Sequence, residues 1–456
     1  MKLNLFAADI AARLNGRLMG ENVHIDGHLN TDSRAIEAGD VFVALRGERF
    51  DGHDYLADVE AAQANLLVVS APSPSRNVTQ IVVEDTLRAY GQLAGIVRDQ
   101  FSGAVFGITG SSGKTSCKEM LVSVLSECGR VHATRANYNN EIGVPLTLST
   151  IEDGDDFAVV EMGAGKPGDI AYLVDFAQPN YALVTNVGEA HLALFESVEH
   201  IAATKKQIYR ATPALQGAAI NGDDPVTCAW IDELKTRDIR VMSFGLQASN
   251  DVYAKDVSLS ISGCQFTLCS PQGQVAVQLS VPGSHMVMNA CAVAAMASMA
   301  GVDLAVVAKG LAQYQPMKGR LATVSLAGMT LIDDSYNANP RSMCAAIDTL
   351  SLAKGRRVLV AGDMAELGVE SNRLHTMVGH YAQNKVDAWF STGSMMRYAA
   401  QAYGERATHC ADMAELNATL CHKLMAGDTV LIKGSRSSGM ERVVSALEQY
   451  FTEGAA

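Results

Sequence analysis

The chain has 456 residues, 48 % of them apolar and 19 % charged, with a formal net charge of −13. That length exceeds what one hydrophobic core organises, so two or three globular domains are expected. The acidic balance excludes partners held by counterion release, such as nucleic acid or an anionic membrane face, and nine scattered cysteines with no C-x-x-C spacing exclude a disulfide framework or a zinc cluster.

Residues 1–84 read as a small α/β module. The opening stretch MKLNLFAADIAARLNG lacks the continuous apolar core of a secretory signal, and a cytoplasmic location is expected. β-Branched and apolar runs at 40–45, 64–69 and 80–84 are strand candidates. Between them lie the polar turns Thr31-Asp-Ser33-Arg34 and Asp51-Gly-His53, which chemistry alone reads as solvated loops. A helix is expected over 86–101, with Leu87, Tyr90, Ala94, Val97 and Phe101 on one face.

The stretch 104–120 carries the most chemistry. An apolar run enters the turn Gly110-Ser111-Ser112-Gly113-Lys114-Thr115-Ser116, and Cys117, Met120, Leu121, Val124 and Cys128 then recur at helical spacing. Strand, glycine turn, Lys-Thr and helix describe a loop that cradles phosphates. Backbone N–H groups and the helix N-terminus face the anion, Lys114 reaches the outer phosphates, and Thr115 offers its hydroxyl to Mg²⁺. The first glycine of the general pattern G-x-x-x-x-G-K-[ST] is replaced here by Ile108.

Downstream, Asn137–Pro145 is a polar turn containing Asn139 and Asn140. Phe157–Glu161 then reads as a buried parallel strand ending in an acid, the expected metal partner of Thr115. His191 and the pair Lys205-Lys206 carry no signal from spacing alone. Residues 251–282 alternate apolar and polar, with a hairpin turn at Ser270–Gln274, so an antiparallel patch edges the domain. Pro282-Gly283 starts a tightly packed helix containing Asn289, and the Ala/Met-rich run near 290–300 is too short to span a bilayer. Pro316 and Gly319 punctuate a linker that places Arg320 to swing onto a γ-phosphate. Beyond it, strands at 330–334, 357–361, 387–390 and 429–432 alternate with helical patterns, one of which starts at Pro340. That alternation means a doubly wound, Rossmann-like sheet; with no G-x-G-x-x-G present, dinucleotide binding is not indicated.

T-G-S-x-G-K-T, N-x-N-N-x-I-G-x-P, the His191 segment followed by A-x-K-x-x-I, P-G-x-H-x-x-x-N-A, and D-D-S-Y-N-A-N-P occur in this order. Together they resemble the Mur ligases, ATP-driven amide-bond formers related to the folylpolyglutamate synthetases. The resemblance implies an α/β protein of three domains: an N-terminal UDP-binding domain (1–84), a central ATP-binding parallel sheet with an antiparallel edge (85–316), and a Rossmann-like domain (317–456). It implies ATP and two Mg²⁺ ions held by Thr115, Glu161, His191 and an N6-carboxylated Lys205. Register favours Lys205 over Lys206, because Ile208 lies three positions after it. Also implied are a γ-phosphate contact from Arg320, an adenine contact from Asn289, and UDP contacts from Ser33 and Arg34. Asn139 and Asn140 would meet the peptide substrate, and Asp334, Asn337, Asn339 and Arg436 the incoming amine. The third-domain motifs resemble the branch that joins D-Ala-D-Ala to UDP-MurNAc-tripeptide, acting as a monomer. A diamino-acid-adding ligase or a folylpolyglutamate synthetase is the alternative.

Overall fold

Apolar runs of four to six residues lay down three large sheets, seen in a computed structural model that describes residues 1–73, 78–189 and 192–453. The first sheet has five strands in the order Arg17–Met19, Thr79–Val82, Leu66–Val69, Val41–Val43 and Leu29–Asn30. Only the Arg17–Met19 strand runs antiparallel to its neighbour. Leu66–Val69 is buried along its whole length, as its unbroken apolar run requires of a strand covered on both faces. The helix Thr86–Gln100 follows, capped by Asp85, whose carboxylate accepts the Leu87 and Arg88 N–H groups.

The central sheet has nine strands. Gly273–Leu279, Gly263–Ser270 and Val252–Ser260 form its antiparallel edge, as the alternating pattern leads one to expect. Arg240–Gly245, Gly217–Asn221, Tyr181–Val184, Ala104–Thr109, Phe157–Glu161 and Val131–Ala133 continue it in parallel. Successive side chains of a strand point to opposite faces, so Ala104–Thr109 feeds two cores. Phe106 and Ile108 pack with the helices Lys114–Leu125 and Ser284–Met299. Val105 packs on the other side with Thr86–Gln100 and Asp169–Ala177. The Ala/Met-rich run lies in the almost wholly buried helix Ser284–Met299. Among the described residues no helix is long and apolar enough to cross a membrane.

The third sheet has six strands in the order Ala322–Leu326, Met329–Asp334, Thr429–Lys433, Arg357–Ala361, Ala388–Thr392 and Ala407–Cys410. All but the first pair are parallel. Pro340–Leu350, Ser371–Ala382 and Met396–Tyr403 cover one face and Met413–Lys423 with Glu441–Glu453 the other, so the sheet is doubly wound. Two of its strands lie outside the predicted set. Ala322–Leu326 pairs antiparallel with its neighbour through a turn at Ala327-Gly328, and the edge strand Ala407–Cys410 is half exposed and weakly apolar.

Candidate active site

The carboxyl ends of the central strands open into a cleft of about 870 Å³ shared with the third domain. Ser111–Ser116, Glu161 and Asn289 line it from one side, and Arg320, Asp334, Asn337, Asn339 and Lys433 from the other.

The glycine turn has the backbone its sequence demands. Gly110 sits at φ +151° with Thr185 Oγ1 only 1.8 Å from where a Cβ would stand, so no side chain fits. Gly113, at φ +81°, is the N-cap of the helix Lys114–Leu125, and a Cβ there would lie 2.9 Å from Asn289 Oδ1. The helix N-terminus therefore faces the cleft with its N–H groups free for an anion. Lys114 Nζ donates to Gly110 O at 2.8 Å. Burial lowers its pKa, Arg320 adding to the effect and Glu161 opposing it.

Thr115 and Glu161 meet as expected. Thr115 Oγ1 donates to Glu161 Oε2 at 2.8 Å, and Asn139 Nδ2 donates to Oε1 at 2.8 Å. Thr115 is 3 % and Glu161 2 % exposed. Among the described residues no three His, Cys, Asp or Glu side chains converge as a metal cluster. A hydroxyl and a carboxylate supply hard oxygen donors, and a cation that takes its other ligands from phosphate and water fits them; that is the habit of Mg²⁺.

Lys205 lies in the helix Val198–Lys206 at 2 % exposure, and burial first, then Lys114, hold its pKa well below the usual lysine value. It does not belong to the cleft's lining. Lys206, by contrast, pairs with Glu233 and lies 5.9 Å from the Trp230 ring centroid. His191 lies outside the described residues.

On the third-domain side, Lys433 Nζ donates to Asp334 Oδ2 at 2.6 Å and to Asn337 O at 2.9 Å. Burial raises the Asp334 pKa against the pull of Lys433. The Arg320 guanidinium lies 4.2 Å from the Tyr336 ring centroid, and that of the exposed Arg436 lies 5.8 Å from the same ring. The Gly319 N–H donates to Asp333 Oδ2 at 2.9 Å, and the Tyr336 N–H donates to Gly319 O at 3.1 Å.

Other expected residues have local partners. Asn140 Oδ1 accepts the Gly143 N–H at 2.9 Å, a turn bond. Ser33 and Arg34 sit in a 3₁₀ turn of the N-terminal sheet domain, away from the cleft lining. The Arg34 guanidinium grips Asp32 through two bonds of 2.9 and 2.7 Å and, with the Arg34 backbone N–H, holds that carboxyl at about 2.

Sequence reasoning missed three supporting residues. Asn186 holds the phosphate loop, accepting the Ser112 N–H at 3.1 Å and donating to Ser112 O at 3.0 Å. Lys118, 1 % exposed, donates to Thr134 O at 2.7 Å, and Thr134 Oγ1 in turn accepts the Glu161 N–H at 3.0 Å. His285 lines the cleft with a buried Nδ1 that has no hydrogen-bond partner. Asn186, polar just past the strand neighbouring the phosphate loop, and His285, inside the P-G-x-H-x-x-x-N-A motif, had readable signals; Lys118 did not.

A phosphate loop facing a strand-end acid, under a doubly wound third domain, is the arrangement of one class of ligases. The chain belongs to the Mur ligase family: the model of its catalytic domain matches residues 27–97, that of its middle domain 108–297, and that of its glutamate ligase domain 319–436. Among named relatives, the chain is 41 % identical over 443 residues to the UDP-N-acetylmuramoyl-tripeptide–D-alanyl-D-alanine ligase of Escherichia coli strain K12, covering 96 % of each. The crystal structure of MurF from Acinetobacter baumannii superposes with a TM-score of 0.90 at 35 % identity, covering 98 % of this chain and 99 % of that one. MurF ligase from Thermotoga maritima, solved in complex with ADP, superposes with a TM-score of 0.85 at 29 % identity over 94 % and 98 % of the two chains.

Proposed function

We propose that the chain is an ATP-dependent, ADP-forming ligase that joins D-alanyl-D-alanine to UDP-MurNAc-tripeptide, giving UDP-MurNAc-pentapeptide in the cytoplasm. The observation that carries the reading is the Thr115–Glu161 pair beside Lys114, in a cleft whose far wall is the third domain. Whole-length likeness to ligases named for this reaction favours it over a diamino-acid-adding or folate-type ligase.

The γ-phosphoryl group passes from ATP to the tripeptide's terminal carboxylate, and the amine of D-Ala-D-Ala then attacks the acyl phosphate. A C–N bond forms, the C–O bond to phosphate breaks, and the amine loses its proton. Phosphoryl transfer needs positioning and charge neutralisation rather than a protein nucleophile. The N–H groups of Gly113–Ser116 at the helix start hold the phosphates, and Lys114 and Arg320 offset their charge. Thr115 and Glu161 would hold Mg²⁺, which when bound neutralises charge on the phosphate oxygens. Lys205, whose pKa burial and Lys114 lower, would add CO₂ at Nζ with loss of a proton, and the carbamate with His191 would serve a second Mg²⁺.

Asn289 meets adenine, Ser33 and Arg34 the UDP, Asn139 and Asn140 the peptide, and Asp334, Asn337 and Arg436 the dipeptide. The three domains, 1–84, 85–316 and 317–456, thus divide UDP, ATP and dipeptide among them. Each role falls on one chain, so a monomer suffices. A third domain packed over the cleft keeps water from the acyl phosphate.

The test is phosphate release by purified protein with ATP, Mg²⁺ and UDP-MurNAc-tripeptide, comparing D-Ala-D-Ala with single amino acids. Release that depends on the dipeptide, with pentapeptide detected by mass, is expected. Release indifferent to every amine refutes the ligase reading.

A further inference from the structure

Asn339 starts the helix Pro340–Leu350 and uses both ends of its side-chain amide. Its Oδ1 accepts the Ser342 N–H at 2.9 Å, half of a capping box completed by the Asn339 N–H donating to Ser342 Oγ at 3.0 Å. Because the oxygen must face that donor, the amide nitrogen points away from the helix, and it donates to Ser112 Oγ in the phosphate loop at 2.9 Å. Arg341, two residues on, reaches the same neighbourhood. Its Nη1 donates to Val187 O at 3.1 Å and lies 3.3 Å from Asp224 Oδ2, which also accepts the Val187 N–H at 3.2 Å. These two target loops brace one another: Ser111 Oγ donates to Gly188 O at 3.1 Å, and Thr185 Oγ1 to Ser112 O at 2.6 Å.

We propose that Asn339 and Arg341, on either side of Pro340, form a two-point latch through which the docked third domain fixes the phosphate loop in its nucleotide-holding geometry. The inference rests on the reading of that loop as an ATP site, and in it Asn339 is a positioning residue. Pro340 fixes φ where the helix begins, and the capping box fixes the Asn339 side chain, so little freedom is lost when the latch forms. Undocked, the Ser112 hydroxyl loses its donor and the loop is held from the strand side alone. One neutral hydrogen bond shifts an equilibrium by about 2- to 12-fold. Apparent nucleotide affinity falls with the competent population, by up to that same factor.

The experiment is a double-mutant cycle in the full chain, with Asn339→Ser, Ser112→Ala and the pair, reading KM for ATP and kcat at saturating peptide substrates. Serine still caps the helix but is too short to reach Ser112. Asn339→Ser is expected to raise KM for ATP by about 2- to 12-fold with the melting temperature unchanged. In the Ser112→Ala background the same substitution has almost no effect on KM. Independent, multiplicative effects on KM overturn the latch, as does a wild-type KM in Asn339→Ser. Should Asn339→Ser fail to fold, Arg341→Met gives the second arm: a raised KM for ATP is expected, and an unchanged one overturns the proposal. Calorimetric titration of the wild-type chain with ATP and Mg²⁺ separates the two levels. Absence of binding overturns the ATP reading and the latch with it, whereas binding alongside independent effects overturns the latch alone.

Discussion

Exchanging Thr115 for valine replaces a hydroxyl by a methyl group of similar size, so the change opens no large cavity and isolates the hydrogen bond. Glu161, at 2 % exposure, has one donor on each oxygen, Thr115 Oγ1 and Asn139 Nδ2, both at 2.8 Å. Valine leaves Oε2 without its donor where water scarcely reaches. A hydrogen bond to a charged group is worth about 1.5–3 kcal/mol, and the unfolding free energy of Thr115→Val should fall by about that amount. Thr115→Ser keeps the donor and loses one methyl group, about 0.8 kcal/mol. If the hydroxyl also serves the metal in the transition state, the same loss lowers kcat/KM by about 10- to 150-fold, at 1.36 kcal/mol per tenfold. Urea unfolding without nucleotide gives the first number, and phosphate release gives the second. Serine falling as far as valine in either assay would refute the reasoning, because the hydroxyl would then not be the group that matters. Valine matching wild type in stability would mean that Glu161 does not depend on Thr115.

Three further outcomes follow from the site. Lys205→Ala should lose most activity, with formate or acetate restoring part of it; no rescue in a protein with unchanged circular dichroism counts against the carbamate. Tyr336→Leu removes the ring beneath the Arg320 guanidinium, an interaction of about 0.5–1 kcal/mol, and should raise KM for ATP about 2- to 5-fold while Tyr336→Phe stays near wild type; equal effects of Leu and Phe would exclude the ring. Burial, with help from Lys433 and against Asp348, holds His285 down at about 4, whereas an unfolded histidine titrates near 6.5. With the folded value depressed, the stabilisation is present above pH 6.5 and lost as pH falls towards 4, by at most about 3 kcal/mol. Urea unfolding at pH 7 and pH 4.5 should therefore show a smaller acid loss for His285→Gln than for wild type, and an identical loss would exclude His285 as the source.

Where a signal is local, the sequence carried it. The run Ala104–Thr109, the acid at the end of Phe157–Glu161 and the hairpin turn after Ser270 are each decided within a few residues by alternation, chain reversal or helix start. Thr115 and Glu161 could be paired because parallel strands place their carboxyl ends together. The unpredicted parts depend on distant partners. Asn339 and Ser112 are 227 positions apart, and nothing near either residue names the other. Lys118 looks like an exposed helical lysine until Thr134 is folded over it. Ala322–Leu326 carried a readable alternation and an Ala-Gly turn, but its closeness to the linker masked it. Asn140 shows the converse case, a motif residue whose side-chain oxygen serves the turn that contains it.

The clamp on Gly319 decides where the chain can pivot. Asp333 and Tyr336 fasten the Gly319 peptide to the end of a third-domain strand, so Arg320 belongs mechanically to the body that follows it. Tyr314, at 2 % exposure, closes the helix Leu304–Gln313 of the body that precedes it, its N–H donating to Leu311 O at 3.3 Å. Between these anchors lies only the short spacer 315–318, in which Pro316 fixes one φ and Met317 O accepts the Arg320 N–H at 3.0 Å. A joint so short permits swivelling but little sliding, and it delivers the arginine at a radius set by the domain rather than by a loose tether.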